Sequence, residues 1–530
     1  MNVSQVTMLH EYLERAAARA PDKTALVYRG QRLTWGEVDR LAAQIGVLLR
    51  QLGIGRGDRV VVYLDNSVEL AASIFGILRA DAIFCVINAQ TKPDKLAYML
   101  NDCRAKALIT SALLGRMWRE ALPLCPHLTH AFVVGDPAAS QVGTGQCQGF
   151  AEALHGIEPG PPAGRNIPVD LAAIIYTSGS TGDPKGVMLT HHNMVSAAES
   201  ITTYLGNRCD DIVINVLPLS FDYGLYQWLM VTLFAGTLVL EPSFNYPAAV
   251  LKLVESEKVT GLPVVPTIAS LLKQYEAKGL RLEGVRYVTN TAAALSGSHI
   301  ETLRRLCPNA RIFSMYGLTE CKRVSYLPPE ELDRRPDSVG RAMPNMETYI
   351  ADADGRRLPP NAVGELVIRG PHVMKGYWEK PEATAERLRP GEIPGEYHLY
   401  SGDYFRMDEE GFLYFVGRRD DIIKSRGEKV SPKEVENVLY AIPGVQDVAV
   451  VGVADEILGQ AVHAYVVLLP GTRQTAAEVV RWCAQRLEGF MVPKYVSFLS
   501  SLPKTTSGKI TKKNLAEHAR ATWLSGDPVP

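Results

Sequence analysis

Between residues 40 and 110 the chain alternates short apolar runs with segments of helical periodicity, and this rhythm constrains the fold more than any other feature. Residues 40–52 carry apolar side chains at helical spacing as far as Gly53, and RVVVYL at 59–64 reads as a buried strand. A helix over 68–80, a strand over 83–87, a helix over 95–103 and a strand over 107–110 continue the pattern. Repeated strand–helix–strand units predict an α/β fold, with parallel sheets covered by helices on both faces. A chain of 530 residues exceeds what one core supports, so more than one domain is expected. The pattern changes near 418–421. Beyond it, strands over 445–453 and 462–469 and a helix over 476–487 predict a small α+β domain, giving domains 1–418 and 419–530. Gly- and Ser-rich residues 136–149 and Gly- and Pro-rich residues 156–168 read as surface loops.

Lys plus Arg number 56 against 57 Asp plus Glu, a formal net charge of −1. That balance gives no reason to expect nucleic acid or an anionic membrane as the main partner. No basic stretch followed by an apolar run opens the chain, and no apolar run approaches a membrane span. The eight cysteines are scattered without a C-x-x-C pair, which fits buried thiols in a reducing cytoplasm.

The strand predicted at 171–176 (LAAIIY) leads into the small-residue segment YTSGSTGDPKG at 176–186. Gly179, Gly182 and Gly186 let the backbone approach a ligand closely. Its amides, the hydroxyls of Thr177, Ser178, Ser180 and Thr181 and the charge of Lys185 suit phosphate oxygens. The order G-x-x-x-x-G-K-[ST] is absent, so this is not a Walker loop. A flexible linker is the plainer reading, and the loop's place between strand and helix signals argues against it.

That loop resembles the signature of the adenylate-forming superfamily, which includes acyl-CoA synthetases, peptide-synthetase adenylation domains and firefly luciferase. Further segments resembling its motifs follow in order: YGLTE at 316–320, GELVIRGPHVMKGYW at 364–378, SGDYFRMDEEGFLYFVGRRDDIIK at 401–424 and LPKTTSGKI at 502–510. Residues 316–340 most resemble stand-alone acyl-CoA ligases associated with exosortase systems. The resemblance implies that a carboxylic acid attacks the α-phosphate of ATP, giving acyl-AMP and pyrophosphate, and that the acyl group then passes to a thiol, either CoA or the phosphopantetheine of a separate carrier protein. Both reactants are anionic, so the site must suppress their repulsion.

By the same resemblance Lys509 bridges the carboxylate and the α-phosphate, and Glu320 binds Mg²⁺. Thr319 offers a hydroxyl to the phosphate, Tyr316 a face to adenine, Asp403 holds the ribose diol and Arg418 assists it. Asp420 is the hinge about which the C-terminal domain rotates, and Gly427 borders the thiol tunnel. From spacing alone Lys509 reads as a surface lysine, Glu320 as a solvated acid and Asp403 as a turn residue.

The acyl pocket is expected around Phe221, Asp222, Tyr223, Ala292, Ala293 and Gly317. Phe221-Asp222 resembles amino-acid-activating domains, where the Asp pairs with the substrate ammonium; Asp222 as a helix N-cap is the alternative. Ala292 and Ala293 replace usual glycines and narrow the pocket, and Asp81 replaces another glycine without evident consequence. Lys322 and Arg323 read as solvated, with pairing to a second substrate carboxylate as the other possibility. His191 and His192 read as helix-start residues. Two further readings stay open: a non-catalytic nucleotide sensor, against which the retained motif residues argue, and a luciferase-like oxygenase, which nothing favours.

Overall fold

The computed structural model describes residues 6–135, 146–177, 184–291, 295, 297–418, 421, 423–425, 428–455, 458–504, 510–512 and 515. Three sheets organise them. One runs in the order Gly376–Tyr377, Lys185–Thr190, Leu171–Thr177, Ile83–Ile87, Arg59–Tyr63, Ala107–Ser111, His130–Val134 and Gln146–Gly149. From Leu171–Thr177 onward its strands are parallel, whereas Lys185–Thr190 and Gly376–Tyr377 pair antiparallel at the other end. Alternate residues explain the arrangement: Val60 and Val62 enter the main core while Val61 and Tyr63 enter a second one. A strand apolar on both faces requires cover on both. The elements expected over 40–110 are present, as Trp35–Gln51, Arg59–Tyr63, Val68–Arg79, Ile83–Ile87, Pro93–Asp102 and Ala107–Ser111.

The second sheet has fourteen strands. Thr237–Leu240, Ile212–Asn215, Gly261–Val264, Tyr287–Asn290 and Arg311–Tyr316 lie parallel. Antiparallel strands Ser325–Leu327, Ser338–Ala342, Leu413–Arg418, Tyr397–Met407, Val363–Arg369 and Glu347–Ala351 extend it. The helix Asp222–Phe234 is buried nearly all round, as a helix enclosed within a core must be. Its Trp228 stacks on Trp35 at 5.6 Å and donates to the Ala71 carbonyl at 3.1 Å, fixing the helix to its neighbours.

The third sheet, five-stranded, is built wholly from residues after 422: Ile423–Ser425, Glu428–Val430, Val445–Asp455, Gly459–Leu468 and Tyr495–Phe498. Helices Pro432–Tyr440 and Ala476–Ala484 pack on a core of its own. It meets the rest through Ser431, whose hydroxyl donates to the Val416 carbonyl, and through His299, edge-on to Tyr440 at 5.8 Å. The helix Ala476–Ala484 stops three residues short of expectation, its Thr475 and Glu478 forming a capping box at the start. Residues 146–149, read as part of a loop, form an edge strand beside His130–Val134. Asp81 has a consequence after all. Its φ of +62° is the left-handed conformation that glycine adopts freely, and its carboxylate accepts from the Arg165 amide at 2.7 Å.

Candidate active site

Parallel strands present their C-terminal ends to one region, and the polar motif residues gather there. Thr177 ends its strand half-buried, in register with Lys185, which opens the return strand; Ser178, Gly179, Ser180, Thr181 and Gly182 between them lie outside the described residues. Gly186 follows because a Cβ there would come within 2.7 Å of Ile174. Tyr176, first in the motif, donates to Asp102 at 2.7 Å, an anchoring contact.

The loop after Arg311–Tyr316 folds back so that the Val324 amide reaches the Tyr316 carbonyl at 2.9 Å. Within it Gly317 presses on the turn: a Cβ there would lie 2.0 Å from the Lys322 carbonyl oxygen. This tight reversal carries Thr319 and Glu320, both half-buried. The hydroxyl of Tyr377 donates to Glu320 Oε1 at 2.7 Å, and Lys185 Nζ sits 5.5 Å from the centre of the same ring. Burial first, and Glu320 second, push the Tyr377 hydroxyl upward, so it remains a neutral donor. Tyr377 lies inside a quoted motif, yet sequence reasoning assigned it no role, because only the pairing of Gly376–Tyr377 with Lys185–Thr190 brings it beside Glu320.

Tyr316 joins the other end of the loop to Asp403. Its hydroxyl donates to Asp403 Oδ2 at 2.5 Å, and Arg418 Nε lies 3.8 Å from Oδ1. Asp403 is no turn residue: it lies within Tyr397–Met407 and pairs in register with Arg418. Burial raises the Asp403 carboxyl, opposed by Arg418 and by the Tyr316 hydrogen bond. The Tyr316 hydroxyl is driven well up by burial and by Asp403. Phe405 meets Tyr316 edge-to-face at 4.8 Å and fixes the plane of its ring.

Asp222 opens the helix Asp222–Phe234, and Phe221 occupies the cap position without a side-chain bond, so the N-cap reading of Asp222 is corrected. Tyr223 is fully buried, donating to the Thr289 carbonyl at 2.7 Å. Lys322 and Arg323 also depart from expectation. Rather than being solvated they are 1% and 3% exposed, with the Arg323 guanidinium 4.7 Å over the Tyr223 ring. Adjacent side chains face opposite sides in a strand; this reversal turns both inward. His191 and His192 do open a helix, after an N-cap at Thr190.

Ala292 and Ala293, Asp420, Gly427 and Lys509 lie outside the described residues. The segment holding Lys509 is tied at both ends to the C-terminal unit: Lys504 bridges to Ile510 and its Nζ reaches Asp447 at 3.1 Å, while the Thr511 amide donates to the Pro503 carbonyl at 2.9 Å. Among the described residues no three acidic, His or Cys side chains form a metal cluster. Mg²⁺ does not need one, since it commonly takes one or two carboxylates and the phosphates of its nucleotide. Glu320 fits that donor set, because Tyr377 occupies only part of its acceptor capacity.

A phosphate-loop edge, a carboxylate beside it and a tyrosine–aspartate–arginine group at one sheet end define a nucleotide-using α/β enzyme with a separate C-terminal unit. The profile described as AMP-binding enzyme matches residues 13–378, and that described as AMP-binding enzyme C-terminal domain matches 434–509. The long-chain-fatty-acid–CoA ligase of Bacillus subtilis (strain 168) is 31% identical over 540 aligned residues, covering 96% of this chain and 94% of that one. Feruloyl-CoA synthase of an Amycolatopsis species is 33% identical, covering 94% and 96%. The crystal structure of the anthranilate CoA ligase AuaEII with anthranoyl-AMP superposes with a TM-score of 0.90 at 26% identity, covering 98% of both chains. The chain belongs to the AMP-binding enzyme family. It is an AMP-forming acid–thiol ligase, joining an acid to ATP as acyl-AMP and then passing the acyl group to a thiol. Among the described residues no helix is long and apolar enough to cross a membrane.

Proposed function

We propose that this chain is an acyl-CoA ligase in which residues 1–418 bind ATP and the acid, and residues 419–530 bring Lys509 to the reacting atoms. The carrying observation is the chain of contacts Lys185–Tyr377–Glu320 beside Tyr316–Asp403–Arg418, which aligns a phosphate end and a ribose end on one loop. Thr177 to Gly182 with Lys185 cradle the triphosphate. Asp403 accepts from the ribose hydroxyls in place of the Tyr316 hydroxyl, and Tyr316 offers the face of its ring to adenine. Glu320 and the nucleotide phosphates would hold Mg²⁺, which neutralises phosphate charge. Lys509 offsets the repulsion between the carboxylate and the α-phosphate, and Thr319 donates to the same phosphate.

Rotation about Asp420 withdraws Lys509 after adenylation and opens the path past Gly427 to the CoA thiol. The junction is polar, with Ser431 on the Val416 carbonyl and Asn437 on Asp337, which suits such movement. A cytoplasmic location belongs to this reading, supported by eight free cysteines. The test is ATP–pyrophosphate exchange over a panel of fatty, aromatic, dicarboxylic and amino acids, followed by thioester formation with CoA or a phosphopantetheinylated carrier. Lys509→Ala is expected to lower exchange about 10²-fold or more. Near-normal exchange in that variant rejects the role given to Lys509, and thioester formation only with the carrier replaces CoA as acceptor.

A further inference from the structure

Lys322 and Arg323 bring two positive charges into the interior. Lys322 Nζ and Arg323 Nε have no hydrogen-bond partner among the described residues. The guanidinium makes one long contact, from Nη1 to the Lys322 carbonyl at 3.4 Å. Burying a cation without a hydrogen-bonded counter-group opposes folding. Lys322 adds strain to that, with a φ of +66° in the left-handed region that a lysine seldom adopts. The fold therefore tolerates two unfavourable features at one turn, which directly follows the carboxylate Glu320.

Their neighbours include Tyr223, which the resemblance assigns to the acyl pocket. Lys322 Nζ lies 5.9 Å from the centre of the Tyr226 ring, and Arg323 lies over Tyr223, one helical turn away on Asp222–Phe234. Tyr226 Oη and Thr291 Oγ1 are likewise buried without partners among the described residues. Asp222 and Glu320 are the acids whose charges reach Lys322, and neither accepts a hydrogen bond from its Nζ.

Resting on the ligase reading above, we propose that Lys322 and Arg323 recognise a second carboxylate on the substrate, making the enzyme a dicarboxylic-acid ligase. A carboxylate supplies the acceptors that Nζ and Nε lack. An α-amino acid is disfavoured, because Asp222 already faces an ammonium from its own chain.

The experiment compares length-matched pairs in pyrophosphate exchange and CoA thioester formation: α,ω-diacids from malonate to sebacate against the corresponding monoacids, phthalates against benzoate, and amino acids alongside. The preferred diacid is expected to exceed its monoacid about 10- to 100-fold in kcat/KM, chiefly through KM, as one charge-assisted recognition contact allows. Lys322→Met and Arg323→Met are expected to reduce that ratio to about 3-fold or less while melting no lower than the parent, because each removes an unpaired buried charge. A merely structural role would instead lower melting temperature and act on both acids equally. Equal use of monoacids by the parent enzyme, or an unchanged ratio in both variants, overturns the proposal and leaves the ligase reading intact. If no acid supports exchange, the ligase reading falls, and calorimetry decides the carboxylate site: tighter binding of diacid than monoacid upholds it, equal binding overturns it.

Discussion

Replacing Gly317 by alanine tests whether the reversal at 317–323 builds the site. The added Cβ would meet the Lys322 carbonyl oxygen at 2.0 Å and the Arg323 Cα at 3.0 Å, where ordinary contact begins at 3.4 Å. Both neighbours are backbone, so no rotamer change relieves the clash, and the turn must yield by about 1.4 Å. Thr319 and Glu320 ride on that turn. A misplacement of about 1 Å in a catalytic group costs roughly 10²-fold in rate, while overpacking of this kind costs about 1–3 kcal/mol of stability. Gly317→Ala is therefore expected to lower the rate of pyrophosphate exchange about 10²-fold with only a modest drop in melting temperature. The measurement is exchange at saturating ATP and acid, with thermal melting of the same preparation. A variant within about 3-fold of the parent rate would refute the reasoning, because the clash would then have been absorbed without moving the catalytic groups.

Two other substitutions read different parts of the molecule. Asp403→Asn keeps shape but removes the charge that accepts the Tyr316 hydroxyl at 2.5 Å; with charge-assisted bonds contributing about 1.5–3 kcal/mol each, KM for ATP is expected to rise at least 10-fold with kcat changing less, and an unchanged KM would remove Asp403 from nucleotide binding. His191 is buried with Nδ1 accepting from the Leu9 amide at 3.1 Å, and burial first, then His10, lowers its pKa to about 3. The folded state thus holds a neutral imidazole, and the unfolded chain takes up the extra proton below about 6.5. Stability from this group is full above about 6.5 and falls as pH drops toward 3, so His191→Asn should flatten the loss of melting temperature between about pH 6.5 and 5. Parallel melting curves for parent and variant across that interval would contradict the assignment.

Local sequence determined much of this protein. Apolar runs such as RVVVYL specify strands buried on both faces, because alternate residues must each find a core, and Thr475 with Glu478 specify a helix start through bonds that span three residues. The motif segments identified the chemistry and, through the resemblance, Tyr316, Asp403 and Arg418, which the structure joins. Tertiary structure decided the rest. Whether Lys322 and Arg323 meet water or the interior depends on a reversal set by contacts between Gly317 and the Lys322 carbonyl and by cover from Tyr223 and Tyr226, more than ninety residues earlier in the chain. Tyr377 became a partner of Glu320 only through antiparallel pairing with Lys185–Thr190. Helix and strand preferences arise from neighbours a few residues apart, which a sequence displays directly. The company a charged side chain keeps depends on segments brought together by folding, and no local pattern encodes that.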